Sequence, residues 1–85
     1  MSNQETVISS ESLWPEDAAE DEAVITNWFV SEGSAVDRGT TLGEMQVEKV
    51  SVDIVANTQG EVDEIMIDEG GELSRGDPLA RLMIE

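Results

Sequence analysis

The stretch Met45-Gln46-Val47-Glu48-Lys49-Val50-Ser51-Val52-Asp53-Ile54 decides the fold. Its apolar and polar residues alternate, as a strand with one buried face requires. The alternation survives a reversal at Glu48-Lys49. With Met45 and Val47 inward, a two-residue loop sets Val50 opposite Val47 and Val52 opposite Met45, so both arms keep one apolar face. Glu48 and Lys49 are left at the tip, in water. Two-residue hairpin loops favour Asn-Gly or Asp-Gly, and Glu48-Lys49 is neither. A local rule broken at an exposed tip points to function. Lys49 is the only lysine, beside three arginines and 20 acidic residues.

Outward from this hairpin, the rest of the chain also reads as short strands between turns. Strands are expected over Ser9 to Trp14, Val24 to Val30, Val62 to Ile67 and Leu79 to Ile84. Turns fall at Ser31–Ser34, Asp37–Gly39, Asn57–Gly60, Asp68–Gly71 and Ser74–Pro78, with Val36 as a buried plug. Met1 to about Ile8 is read as a flexible tail in which Glu5–Ile8 could add a little strand, leaving 9–85 as one domain. Pro15 stops the first strand, and an acidic connection to Glu22 follows, with room for one helical turn.

An internal repeat gives the halves. Glu32-Gly33 laid over Glu69-Gly70 sets an offset of 69 − 32 = 37, which brings Trp28 onto Ile65, Val30 onto Ile67, Val36 onto Leu73, Arg38 onto Arg75, Gly39 onto Gly76 and Leu42 onto Leu79. The turn glycines Gly33, Gly39, Gly60, Gly70 and Gly76 stand where positive φ or close backbone approach is needed. Two halves related by a pseudo-twofold axis are expected, in an all-β sandwich or barrel. Trp28 lies 15 residues after Leu13 and Ile65 lies 11 after Ile54, so the first half carries about four extra residues in its acidic loop. Val62 is out of phase with Ile65 and Ile67, which predicts a bulge or a strand crossing between sheets.

Composition removes most function classes. A formal charge of −16 repels phosphate backbones and anionic membranes, so neither nucleic acid nor a membrane is expected as partner. It fits basic partner faces, and equally solubility or high salt. No apolar run is long enough to span a bilayer, and no secretory signal is read at Met1–Glu5. With no Cys and no His, hydrolytic triads and the usual zinc sites are ruled out, and no metal site is expected. The lack of cysteine fits a reducing, cytoplasmic compartment. No catalytic residues are assigned. Lys49 alone, protonated near neutral pH, is a poor nucleophile. On spacing alone two readings stand: a lysine placed for solubility, or the acceptor of a modifying enzyme.

The hairpin with its Glu-Lys tip, Val30-Ser31-Glu32-Gly33, Gly60, and Ile67-Asp68-Glu69-Gly70 … Gly76-Asp77-Pro78-Leu79 together resemble the lipoyl domain of 2-oxo acid dehydrogenase complexes, over about Ser9 to Glu85. The resemblance implies a flattened barrel of two four-stranded antiparallel sheets with quasi-twofold symmetry. It implies lipoate in amide linkage on Lys49, with Gln46, Val47, Glu48 and Val50 read by a lipoate-attaching ligase or transferase. A monomeric carrier would then shuttle acyl groups and electrons among 2-oxo acid dehydrogenase, acyltransferase and dihydrolipoamide dehydrogenase components. Asp17, Glu20, Asp21 and Glu22 correspond to a surface loop beside the lysine, expected to dock the dehydrogenase. Biotin carriers share the fold but usually flank the lysine with Met; here the flanks are Glu48 and Val50. The family's Asp-Lys-Ala reads Glu48-Lys49-Val50 here, and Gln46 stands where an acid is usual. A biotinyl carrier and an unmodified acidic adaptor remain the alternatives. A free-standing carrier and a piece of a larger acyltransferase fit the sequence equally.

Overall fold

A computed structural model describes residues 4–84. It is all-β apart from one short 3-10 helix. The elements run β1 (Gln4–Ser9), the 3-10 helix (Ser10–Leu13), β2 (Glu22–Trp28), β3 (Ala35–Val36), β4 (Thr41–Val47), β5 (Val50–Val55), β6 (Gly60–Ile65), β7 (Glu72–Ser74) and β8 (Pro78–Ile84). Two four-stranded antiparallel sheets result, ordered β1-β8-β6-β3 and β5-β4-β2-β7. No helix among the described residues is long and apolar enough to cross a membrane.

The strand orders reproduce the repeat. Moving β2, β3 and β4 forward by 37 residues lands them on β6, β7 and β8, and the sheet orders then superpose. The irregularities repeat too. The β2–β4 register slips at Thr26 and the β6–β8 register at Asp63, 63 − 26 = 37 residues on. This is the bulge expected near Val62, and its mate lies in the first half. A second slip, at Leu42, matches one at Leu79. The core follows suit: Ile25 with Val62, Leu42 with Leu79 and Met45 with Leu82 are equivalent pairs, all 0–1% exposed. Burying each such side chain contributes roughly 1.5–3 kcal/mol.

Two expectations about the first half are overturned. The first strand is Gln4–Ser9, mostly within the segment read as a tail, where only a little strand at Glu5–Ile8 was allowed for, and Ser10–Leu13 is helical where a strand was expected. Physically, Leu13 at the end of the 3-10 helix and Trp14 just after it pack against the core, so their apolar character does not mark a strand. Ile8, 3% exposed, takes the place that Ile54 holds in the second half. The inserted length changes accordingly: 12 residues (10–21) join β1 to β2, against 4 (56–59) joining β5 to β6. Pro15 starts a turn closed by the Ala18 N–H on its C=O (3.3 Å). Val36 is buried as expected, but within the two-residue strand β3, which pairs with β6.

Two hydrogen bonds fix which ends of the sheets coincide. Ser10 N–H donates to Asp77 C=O (3.0 Å) and Arg75 N–H to Asp21 C=O (2.7 Å). They bring the Ser9/Pro78 end of one sheet beside the Glu22/Val47 end of the other, where the hairpin turns. Gln4 and Ile84, which pair with each other, therefore sit at the opposite pole of a body 43 Å long and about 20 Å wide.

Candidate functional site

β4 and β5 form the expected hairpin, with Val47 opposite Val50 and Met45 opposite Val52. Met45 and Val47 are buried and Val52 half-buried. Val50 departs from the expected apolar face: it pairs with Val47 yet is 51% exposed, because β5 is an edge strand and its first residue lies at the tip. Lys49 is exposed at the turn. All ion pairs among the described residues involve arginine, so the Lys49 ammonium is not held by a carboxylate.

Glu48 is the only non-glycine residue with positive φ (56°) among those described. Positive φ at the first loop residue alone is the sign pattern of a type II′ turn, which ordinarily takes glycine there. An L residue in this region costs roughly 1–2 kcal/mol. Glu48 is exposed at the tip as expected, yet its carboxylate is bonded to the protein. Oε2 accepts the Ala19 N–H at 2.6 Å and the Glu20 N–H at 3.2 Å, and Gln46 Nε2 donates to the Glu48 C=O at 3.2 Å. Charge-assisted bonds of this kind offset the backbone cost.

The loop that Glu48 grips is held from its other side. Trp14 is buried, and its indole N–H donates to the Glu20 C=O at 3.1 Å. Loop and hairpin enclose an open cleft of about 620 Å³, lined by Pro15, Asp17, Ala18, Glu20, Val47, Glu48, Lys49 and Val50. Four of these are apolar, three are acids, and Lys49 is the only cation.

The sequence-derived site residues divide accordingly. Val47, Glu48, Lys49 and Val50 line the cleft, with Gln46 bracing the turn. Of the four loop acids, Asp17 and Glu20 line it too; Asp21 lends its C=O to Arg75, and Glu22 pairs with Ser74 on β7. Gly33, Gly39, Gly70 and Gly76 have φ between 82° and 96° and make turns, and none of them lines the cleft. Gly60 belongs to a strand instead: it opens β6, buried under the backbone of Met83, where a Cβ would collide with the Met83 C=O. Trp14, Pro15, Ala18 and the Ala19 and Glu20 amides were missed as site elements. The one available signal was a large indole beside a proline in an otherwise acidic segment. No cluster of three or more His, Cys, Asp or Glu able to hold a metal is present among the described residues.

Similarity to known proteins agrees with this geometry. The sequence model of the biotin/lipoyl attachment family, described as "Biotin-requiring enzyme", matches residues 15–82. The dihydrolipoyllysine-residue acetyltransferase component of the pyruvate dehydrogenase complex of Staphylococcus aureus is 33% identical over 61 residues, 72% of this chain and 14% of that protein. The succinyltransferase component of the 2-oxoglutarate dehydrogenase complex of Staphylococcus saprophyticus, likewise dihydrolipoyllysine-residue, is 30% identical over 59 residues, 69% of this chain and 14% of that protein. The chain thus spans about a seventh of the length of these relatives. A single-chain, multi-domain long-chain acyl-CoA carboxylase shares the fold, with a TM-score of 0.75 and 16% identity over 95% of this chain and 7% of that one. With an exposed lysine on a hairpin turn and a family match over most of its length, the chain belongs to the biotin/lipoyl attachment family of non-catalytic carrier domains.

Proposed function

We propose that Lys49 carries lipoate in amide linkage, and that the domain presents this arm to the components of a 2-oxo acid dehydrogenase complex. The observation that carries the reading is the placement of the chain's one lysine: exposed at a hairpin turn, without a salt bridge to any described residue, beside a partly apolar cleft. The residues fit such a group. An amine to be acylated must be reachable and able to lose its proton, and a bound carboxylate would oppose both. The apolar side chains of Pro15, Ala18, Val47 and Val50 give a short aliphatic arm a compatible surface. Lipoate rather than biotin is supported by the names of the more similar relatives and by Glu48 and Val50 flanking the lysine. The carboxylase likeness, at 16% identity, bears on fold alone.

Once bound, the group supplies acyl and electron transfer chemistry, which the protein itself lacks the residues to perform. The chain's own part is to hold the amine at the tip, to keep the turn rigid, and to offer acidic residues beside it. With no cysteine, no protein thiol competes in disulfide exchange with the arm. The acids Asp17, Glu20, Asp21 and Glu22 serve recognition by the dehydrogenase component in this reading. The same proposal takes the domain to act as a monomer in the cytoplasm.

Intact-mass measurement of protein from its native host tests this. A lipoyl adduct removed by Lys49→Arg supports the proposal; a biotin adduct, or no adduct, refutes it.

A further inference from the structure

The feature that the carrier reading leaves unexplained is Glu48. A residue at positive φ next to the target lysine would be best served by glycine, and this position has an acid. Solubility does not account for it, since the chain has 19 other acids. Geometry does: a single carboxylate oxygen spans two backbone amides of a segment 28 and 29 residues away. Glycine cannot supply that acceptor.

The tie has no counterpart in the second half. There the equivalent connection is four residues long, and no loop folds back over a strand end. In the first half Glu20 is held at both ends of its backbone, its N–H by Glu48 and its C=O by the Trp14 indole. The turn, the loop and a buried tryptophan are thereby one connected unit.

We propose that Glu48 is a positioning residue that fastens the Pro15–Glu20 loop to the lysine turn, so that the enzyme loading Lys49 reads loop and tip as one preformed surface. The inference rests on the carrier reading for what the surface is for, but the fastening itself can be measured without it. The role belongs to an acceptor at the Oε2 position and not to negative charge facing the ligase. Glu48→Gln keeps an acceptor there, whereas Glu48→Ala removes it and leaves two amide N–H groups unbonded. The loss falls on docking rather than on chemistry, because the amine stays in place and a loose loop must be ordered on each encounter.

The test uses the unmodified full chain with a lipoate ligase, ATP and lipoate, plus amide hydrogen exchange by NMR. In Glu48→Ala, exchange at Ala19 and Glu20 is expected to rise about tenfold or more. The ligase KM for the domain should rise at least fivefold with kcat little changed. Glu48→Gln should stay near the wild type in both. Trp14→Phe, which keeps a ring in the core but loses the donor to Glu20, should loosen the same amides without touching the hairpin. Unchanged exchange in Glu48→Ala overturns the tie. Faster exchange with unchanged loading overturns the composite surface. Glutamine behaving like alanine in loading, with its amides still protected, assigns the residue a charge contact instead and also overturns the proposal. A wild-type domain that accepts no lipoate is a different result: it defeats the carrier reading, and the exchange data still report the tie.

Discussion

The two sheets share a backbone and differ in what they display. On the outer face of the first sheet, Arg81 sits on central strand β8 and binds three acids: Asp63 (Nη2–Oδ2 2.7 Å), Glu64 (2.9 Å) and Glu5 (3.5 Å). The hydrogen bond to Asp63, helped by the charges of Asp63, Glu5 and Glu64 against some desolvation, raises the Arg81 pKa above its ordinary value, so the guanidinium stays charged. The equivalent position on the second sheet is 81 − 37 = 44, an acid. Glu44 stands between Asn27 and Asp53, with no ion pair among the described residues. The poles differ as well. One ends in the Glu48-Lys49 turn with a loop fastened over it; at the other, β8 and β1 lie side by side with no turn between them. What the halves share makes the fold, and what they do not share makes the site.

This equivalence breaks hardest at two glycines. Gly43 is matched by Ala80, and Gly60 by Ala23, so alanine at either glycine would make the halves more alike in sequence. A Cβ at Gly43 would nonetheless strike the Asn27 C=O and the Trp28 ring, and one at Gly60 the Met83 C=O. Gly43→Ala and Gly60→Ala should each cost about 3 kcal/mol or more, a large share of the roughly 4–13 kcal/mol expected for a domain of this size. Thermal denaturation should show a drop of roughly 15 °C, or no cooperative transition at all. The equivalence is sharpened by Met45→Ala and Leu82→Ala, a symmetry-related pair both 0% exposed. Each should lose about 3 kcal/mol in urea unfolding, and a large disparity would deny that the halves share one core.

Charge should give smaller effects. Glu44→Lys relieves a like-charge pair directly across from Asp53 and should stabilise by roughly 0.5 kcal/mol. Arg81→Met should lower the melting temperature, by a margin that narrows as salt is added. The smallest effect on stability is expected from Asp17→Asn, Glu20→Gln, Asp21→Asn and Glu22→Gln combined, since these side chains are exposed and make no ion pairs among the described residues. The same variant, once lipoylated, should be reductively acylated more slowly by the dehydrogenase component. An unchanged rate would remove the loop acids from recognition.

Much of this was legible in the chain. The 37-residue offset foretold two equivalent halves and the Leu42–Leu79 core pair, because turn glycines and inward aliphatics must recur wherever a backbone recurs, and the broken phase at Val62 foretold the bulge beside it. The hairpin register was readable because apolar alternation tolerates no one-residue slip. The first strand was not. Gln4–Ser9 contains only Ile8 as a buried side chain, while Leu13 and Trp14 advertise burial that a 3-10 turn and its cap achieve. The short strands β3 and β7 escaped notice because two or three residues are too few to show a period. The Glu48 tie was invisible for a different reason. It joins a side chain to backbone amides nearly thirty residues away, and any residue types could supply those amides.

The adjacency of Gln4 and Ile84 has an engineering consequence. A short linker between them would close the missing second hairpin, and the chain could be reopened at the exposed Glu69-Gly70 turn as a circular permutant. Written with Glu-Lys at its centre, that linker would give one body two attachment points, one at each pole. The new amine would lack any loop to brace it, so comparing the occupancy of the two on a single molecule would weigh what the brace adds.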